Sequence, residues 1–440
     1  MNIDLFTFHK IFPSSFRKKL KESIVTPLEK VEFRPLIQEL YYSIKDHTYH
    51  PQKPREYIIA NKHNYVARII PTFIARDYSL YYFVIKMLES EIAINRVEGT
   101  YGGWTLGNEL KFKEDQDEIY LSDYAPSNSF NSFLWMSNWQ EFQKKSYAFS
   151  RSGNFKYIIK FDIANFYNSI NLNLLVRKLY LITPLSKRFY AELLSHFLFS
   201  WNKKIEGYVN KNIGLPQDEI GDCSRILANF YLQEYDEKIF NLCNKADAKY
   251  LRYADDQLIF SDSEDDAKRI LFEASKHLFK LDLIINSSKV KEFSSMEEFN
   301  DYWAFDIFDL LADKYNKDLI NKGIELYFKR KDEEKEFRAI SVLKKIVSLD
   351  FKLIAPKYKF KILSELFEKD FLSNSDSWML TKIYNNLNNE DRERMLEILD
   401  ELVSKIHFNS YQYNLIKFYQ KNGVEFNERR IRSFIKEYSF

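Results

Sequence analysis

Residues 250–261 read YLRYADDQLIFS. Tyr250 to Tyr253 and Gln257 to Ser261 are β-type runs, and Ala254, Asp255 and Asp256 separate them. The pattern predicts a hairpin with two adjacent carboxylates at its tip. Such charges cannot be buried unpaired, because stripping water from a carboxylate is costly. They require solvent or a divalent metal. The plain alternative is an Asp-rich turn with no further role, since Asp favours turns.

Two blocks upstream bear on that choice. Residues 160–170 read KFDIANFYNSI. Asp162 closes an apolar strand, Lys156 to Ile163, that leads into a helical stretch from Leu172 to Leu181. Alone it would be a helix cap. Beside the hairpin it becomes a third carboxylate able to converge on the same cations. Residues 214–217 read GLPQ and residues 224–232 read SRILANFYL. This is a bent loop opening a helix over Ser224 to Phe240, with Ile226, Leu227, Phe230, Tyr231, Tyr235 and Ile239 on one side. Downstream, Asp265 to Phe279 reads as helix and Leu281 to Ile285 as extended chain. Strand, helix, helix, hairpin, helix, strand is the order of an α+β layer with an antiparallel centre.

In this order and at these separations the blocks resemble motifs A, B and C of reverse transcriptases. The likeness is to the group II intron and bacterial retroelement branch, where F-D-I-x-x-F-Y/F, G-x-P-Q, S-x-x-L-A-N-x-Y-L and Y-A-D-D recur. Leu281 to Lys289 resembles motif D. Asn61-Lys62 through Arg68-Ile69-Ile70-Pro71 resembles the upstream fingers strands, so the likeness runs over about residues 55–300. It implies a right-hand polymerase: an N-terminal region with fingers over 1–150, a palm over 151–300, and a C-terminal helical domain over 301–440.

The resemblance also implies roles. Nucleotidyl transfer uses two Mg²⁺ about 3.5–4 Å apart, with Mn²⁺ a substitute, and hard cations take carboxylate oxygens. Asp162 and Asp255 would bridge the ions, Asp256 would support them, and Ile163 would lend a backbone carbonyl. Lys62 and Arg68 would meet the triphosphate, or else be ordinary surface cations. Tyr167 stands where the family has a steric gate against the 2′-hydroxyl, with a core tyrosine as the alternative. Gln217 would line the template side of the nascent pair, with Pro216 and Ser224 among the primer and template contacts. Tyr253 and Ala254 would lie near the primer end, and Lys289 would assist pyrophosphate departure. The chain departs from the family at Asp218, usually Gly. It also has seven residues from Gln217 to Ser224 against a usual five, and a tighter Arg68 to Pro71. These departures suggest restricted template handling.

Composition agrees with an enzyme of several domains. The 440 residues are 45% hydrophobic, 29% charged and 17% aromatic, which excludes a disordered tail. Net charge is only +2, but residues 151–211 carry ten Lys/Arg against three Asp/Glu and residues 1–70 twelve against seven. A phosphate-rich partner could be held locally while Glu114 to Asp123 stays acidic. Cys223 and Cys243 form no C-x-x-C pair, so a zinc module or disulfide scaffold is not expected. With no membrane-length apolar run and no signal-peptide pattern, the expectation is a cytoplasmic protein.

Four of the ten glycines lie between Gly99 and Gly107, which predicts unusual dihedrals or close approach to a ligand, a surface turn being the alternative. Tyr57 to Ala60 and Tyr65 to Ile70 read as strands joined through Asn61 to Asn64, and Ser79 to Ala93 as a helix. From about residue 330 the stripes are all helical, beginning with Phe337, Ile340, Leu343 and Ile346 and then a helix started by Pro356. Their pitch of about twenty residues suggests stacked helix pairs. A polymerase core with such a C-terminus resembles the bacterial defence-associated reverse transcriptases, abortive-infection enzymes included. In those relatives the helical domain replaces a thumb, some members use a non-coding RNA, some polymerise without a template, and several oligomerise. The resemblance therefore implies an RNA-directed DNA polymerase of anti-phage defence using dNTPs and a dedicated non-coding RNA, with a DNA product and homo-oligomerisation. The alternatives are a template-independent, protein-primed polymerase, a group II intron or retron-type enzyme, and an inactive RNA-binding scaffold.

Overall fold

The computed structural model describes residues 3–21, 32–54, 56–63, 65–93, 96–107, 112–115, 118–121, 134–203, 205–206, 209–210, 213–217 and 223–438. They form two compact units. One comprises residues 1–56 and 70–296, the other residues 57–69 and 297–440.

In chain order the first unit begins with helices α1 (Leu5–Ile11), α2 (Ser14–Lys21) and α3 (Phe33–Lys45). The hairpin β1 (Glu56–His63) and β2 (Val66–Thr72) follows, then α4 (Ala75–Ile92), β3 (Thr100–Tyr101), the hairpin β4 (Phe112–Asp115) and β5 (Glu118–Leu121), and α5 (Leu134–Arg151). The core continues with β6 (Tyr157–Asp162), α6 (Phe166–Ser169), α7 (Leu172–Ile182), α8 (Arg188–Ser200), the short β7 (Ile205–Glu206) and β8 (Val209–Asn210), and α9 (Cys223–Lys245). It closes with β9 (Lys249–Tyr253), β10 (Asp256–Ser261), α10 (Glu264–Phe279) and β11 (Lys291–Phe293).

A five-stranded sheet among the described residues has the order β11-β6-β10-β9-β3. Its first four strands pair antiparallel, and β3 adds a parallel edge on β9. The chain is therefore α+β with the antiparallel centre its sequence predicts. β6 is buried nearly throughout because its YIIKFD run sits between two strands with helices behind it. α9 is buried over most of its turns and packs on β9, α10 and α4. α10 is started by Ser263, whose side chain accepts from the Asp266 amide. Three acidic residues stand in its first turn, with Lys276 and His277 in its last, which suits the helix dipole.

Three expectations shift in detail. The hairpin turn is two residues long, since Asp256 already belongs to β10. β1 runs on to His63, leaving the β1–β2 connection shorter than Asn61 to Asn64. Leu281 to Ile285 is not a strand: only an isolated bridge, Ile163 to Ile285, ties it to the sheet. Asp218 lies outside the described residues, as does most of the Glu114 to Asp123 stretch in its side chains.

The second unit is helical apart from the segment of the β1–β2 hairpin it carries. Its helices are α11 (Met296–Trp303), α12 (Phe305–Leu310), α13 (Lys317–Asp332), α14 (Ala339–Val347), α15 (Pro356–Leu366) and α16 (Lys369–Ser373). Then come α17 (Ser377–Asn386), α18 (Asn389–Leu402), α19 (Asn409–Asn422) and α20 (Glu428–Glu437). Helices pack on their next-but-one partners as well as on neighbours: α12 on α14, α13 on α15, α16 on α18 and α17 on α19. Ile340 breaks its expected stripe and faces solvent, while Val342, Leu343, Ile346 and Val347 are buried.

Asn409 and Phe408 tie the β1–β2 hairpin to the helices of this unit. Asn409, at the start of α19, accepts from the Ile59 amide at 2.7 Å and donates Nδ2 to the Tyr57 carbonyl at 3.0 Å. An amide side chain thus takes the place of a neighbouring strand. Tyr65 stacks on Phe408, with ring centroids 6.1 Å apart.

Candidate active site

The edge formed by the ends of β6 and β10 gathers the acidic residues. Asp162 is the last residue of β6 and Asp256 the first of β10, and the two are register partners. Asp255 occupies the turn just before. Ala254 opens that turn with φ at 53°, a left-handed conformation that costs an alanine about 1–2 kcal/mol. The three aspartates named from sequence are therefore brought together.

Each is held differently. Asp162 is buried, and Lys289 places its Nζ 2.7 Å from Asp162 Oδ2. Asp256 is half-buried and takes Lys160 Nζ at 3.0 Å. Burial first, then the Asp256 and Asp162 carboxylates, then a hydrogen bond with Asp162, push the Asp255 carboxyl up to about 7. Three carboxylates so close demand positive charge. Among the described residues no group of three or more His, Cys, Asp or Glu side chains is arranged to hold a metal ion. The donors are nonetheless hard oxygens, and two ammonium groups and a readily retained proton meet the demand for positive charge.

The main chain beyond Asp162 is fastened to the segment after α10. The Asn286 amide donates to the Asp162 carbonyl at 2.8 Å, and the Ala164 amide to the Ile284 carbonyl at 2.8 Å. Ile163 between them is buried. A 3-10 turn over Ser287–Lys289 then aims Lys289 back at Asp162. Lys289, expected to assist pyrophosphate departure, is here an ion-pair partner of a site carboxylate.

Tyr167 is half-buried on α6, its ring 5.3 Å from that of Phe166. Its carbonyl accepts from the Leu215 amide at 2.8 Å, and the Ile170 carbonyl accepts from Gly214 at 2.8 Å. Trp201 Nε1 donates to the Gly214 carbonyl at 3.1 Å. The Gly214 to Gln217 loop is thereby docked beside Tyr167, with Gln217 half-buried. Ser224 and Pro216, expected in the primer and template set, are buried. Ser224 Oγ donates to the Pro216 carbonyl and meets Tyr81 Oη at 2.9 Å, so it bolts the loop to α9 and α4.

Lys62 and Arg68 are exposed on β1 and β2 and belong to the other compact unit. In the basic stretch 151–211, four lysines are committed to carboxylates: Lys156 to Asp262, Lys160 to Asp256, Lys178 to Glu234 and Lys187 to Glu91.

The glycine cluster has an internal use. Gly99 has φ of +84°, and a Cβ there would lie 2.4 Å from the Tyr250 carbonyl oxygen; at Gly103 it would lie 2.7 Å from Arg225 Cβ. Only bare backbone fits, and it forms β3 against β9, with Thr100 opposite Arg252 and Tyr101 opposite Tyr253. The close approach expected for a ligand is here to the β9–β10 hairpin itself. α5 adds an aromatic flank unforeseen in the sequence. Tyr253 donates its hydroxyl to the Trp135 carbonyl at 3.1 Å, and Trp139 packs edge-on to Tyr253 at 4.9 Å.

Beneath the hairpin lies a polar layer that the sequence reading also missed. Arg252 is fully buried. Its Nε and Nη2 donate to the two Asp236 oxygens at 2.7 and 2.5 Å. Nη1 donates to Asn229 Oδ1 and to the Ala254 carbonyl, both at 2.8 Å. Burial alone would lower the Arg252 guanidinium, but the Asp236 carboxylate more than reverses this and holds it above its ordinary value. Burial raises Asp236 while Arg252 pulls it back. Its spacing on a helix, four turns of apolar residues interrupted by Asn229 and Asp236, is the one sequence signal that pointed here.

A family model described as reverse transcriptase (RNA-dependent DNA polymerase) matches residues 120–344, about half of the chain. The retron Ec83 reverse transcriptase of Escherichia coli is 31% identical over 140 residues, covering 30% of this chain and 42% of that protein. The match thus spans less than half of the length of the curated relative. Among solved structures, apo telomerase from Candida tropicalis is 12% identical with a TM-score of 0.38, over 83% of this chain and 74% of that one. Telomerase from Candida albicans with a TWJ fragment of telomeric RNA is 10% identical with a TM-score of 0.37, over 92% and 68%.

Proposed function

Because the chain belongs to the reverse transcriptase (RNA-dependent DNA polymerase) family, we propose that it synthesises DNA from dNTPs on an RNA template. Asp162, Asp255 and Asp256 are the carboxylates of the reaction. The observation that carries the reading is the register pairing of Asp162 with Asp256 across β6 and β10, with Asp255 in the adjoining turn.

These residues suit two Mg²⁺, or Mn²⁺ in their place, with Asp162 and Asp255 as bridging donors, Asp256 in support and the Ile163 carbonyl as a further oxygen. When bound, the ions supply a more acidic primer hydroxyl and neutralise the triphosphate. The remaining roles belong to the chain. Tyr167 presents its ring to the sugar and disfavours a 2′-hydroxyl. Gln217, on a loop fixed to the Tyr167 carbonyl, borders the nascent pair. Tyr253 and Ala254 adjoin the primer end. Lys62 and Arg68 offer exposed positive charge to the triphosphate. The proposal keeps fingers within 1–150, palm within 151–300 and a helical thumb replacement within 301–440.

The biological reading is defence against phage, in the cytoplasm, with a dedicated non-coding RNA. A nearly neutral chain disfavours indiscriminate binding of nucleic acid, and the lysine pairings within 151–211 reduce its loose phosphate-binding charge further. One shaped RNA with unpaired bases stacked on aromatic rings fits such a surface.

The test is dNTP incorporation by the purified protein before and after RNase, and with the RNA of its own locus added back. Loss after RNase and recovery with that RNA support the reading. Full synthesis by RNA-free protein, with product covalently attached to the chain, overturns it in favour of protein-primed polymerisation. Binding of RNA with no incorporation under any condition leaves only a scaffold.

A further inference from the structure

The geometry points to Arg252 as a positioning residue that fixes the catalytic hairpin through the Ala254 carbonyl, acting from a buried ion pair with Asp236. The inference rests on the polymerase reading for its activity arm alone.

The turn is where the hairpin would otherwise be loosest. Ala254 is held at positive φ, a conformation a non-glycine residue keeps only when its surroundings enforce it. Asp255 is the next residue. A shift of the Ala254 peptide moves the Asp255 backbone directly and the start of β10 with it. Arg252 is the group that grips this peptide from inside, two residues back on β9.

The grip is itself anchored. Four of the five guanidinium N–H groups have named acceptors: two on Asp236, one on Asn229 and one on Ala254. Asp236 and Asn229 stand on α9, two turns apart, so the turn is referenced to the longest helix of the unit. Asp236 also accepts from the Tyr250 hydroxyl at 3.0 Å. Asn229 Nδ2 donates to the Gly103 carbonyl at 2.7 Å, which ties in the glycine-rich edge beside β9. One planar fork therefore sets the distance between helix, edge strand and turn.

Stability alone gives little reason for such a device. A buried ion pair suffers a large loss of hydration, and well-packed apolar residues of similar volume often stabilise a fold as well or better. The pair lies in a buried polar layer, where the Tyr250 hydroxyl reaches both Asp236 and Gln257 and the Tyr235 hydroxyl donates to Gln257. What apolar residues cannot supply is a donor for the Ala254 carbonyl in a fixed direction. Lysine cannot supply it together with the bidentate hold on Asp236.

The experiment compares wild type, Arg252→Lys, and the double variant Arg252→Met with Asp236→Leu. Three quantities are read: thermal midpoint, steady-state primer extension on poly(rA)/oligo(dT) with dTTP, and Mn²⁺ binding to the protein alone by electron paramagnetic resonance. The expected result is a double variant as stable as wild type, or more so, with kcat down about 10²-fold. KM for dTTP stays within about threefold and Mn²⁺ binds more weakly, since the carboxylates are misplaced. A stable double variant with wild-type kcat and Mn²⁺ affinity overturns the proposal. Should neither variant fold, Asn229→Ala keeps the ion pair and removes one anchor of the fork. An unchanged kcat and Mn²⁺ affinity in that variant would equally overturn it, and a reduction of both supports it. If wild type extends no primer either on poly(rA)/oligo(dT) or on the RNA of its own locus, the polymerase reading fails, while the Mn²⁺ arm still decides whether Arg252 positions the carboxylates.

Discussion

Lys289 and Asp162 form an ion pair of 2.7 Å that joins the segment after α10 to the last residue of β6. The lysine is half exposed and the aspartate buried, so the pair closes the edge of the site from the solvent side.

That pair predicts a competition. An ammonium group on Asp162 opposes any second cation there. Lys289→Met should tighten Mn²⁺ binding by up to about fivefold, the limit for a solvent-screened pair. Titration of the RNA-free protein measures it. Weaker Mn²⁺ binding in the variant would show that Lys289 organises Asp162 instead of blocking it.

Asp255→Asn with Asp256→Asn should abolish dNTP incorporation while the thermal midpoint stays level or rises. The crowded carboxylates repel one another, and burial with their charges is what raises Asp255. Removing the charges therefore relieves the fold while removing the donors. Incorporation at more than about a hundredth of wild type would sink the assignment of these two residues.

Tyr167→Ala should admit ribonucleotides. The ring leans on Phe166 beside a loop fastened to its own carbonyl, so truncation opens space without freeing the backbone. Competition between dNTP and rNTP should shift by at least about tenfold, the scale of one lost steric clash. A variant as selective as wild type means that Tyr167 is a packing residue.

Asn409→Ala should loosen the β1–β2 hairpin without unfolding the helical unit. It strips partners from the Ile59 amide and the Tyr57 carbonyl, a local loss of about 1–3 kcal/mol. Hydrogen exchange over residues 57–69 should accelerate, and KM for dNTP should rise if Lys62 and Arg68 meet the triphosphate. Deleting residues 330–440 removes Asn409 altogether and should do the same more severely. Unchanged exchange in Asn409→Ala would contradict the bracket.

Much of the site was legible along the chain. β-type runs around a pair of aspartates announce a hairpin, and an apolar strand ending in Asp162 needs a neighbour for its charge. The helix from Cys223 was visible because its apolar residues recur at helical spacing. The burial of Ser224 and Pro216 was not legible, because a hydroxyl beside a loop can serve an internal carbonyl as well as solvent. The pairing of lysines in the basic run 151–211 was not legible for a related reason: charge is counted along the chain, but the partners Glu91, Glu234 and Asp262 come from elsewhere in it.

The sequence by itself determined the hairpin, the α+β order and the three carboxylates, because periodicity and short motifs depend on neighbours a few residues apart. Only the tertiary structure decided that Asp162 stands opposite Asp256, that Gly99 is an opening for the Tyr250 carbonyl, and that Asn409 substitutes for a strand beside Ile59. It also decided that Arg252 points inward to Asp236 and the Ala254 carbonyl. An arginine one residue before the tyrosine of a turn reads as surface charge until a carboxylate from another element is brought within hydrogen-bond reach. Register and burial are properties of pairs far apart in the chain, and they exist only once packing has excluded the water that would otherwise satisfy each group alone.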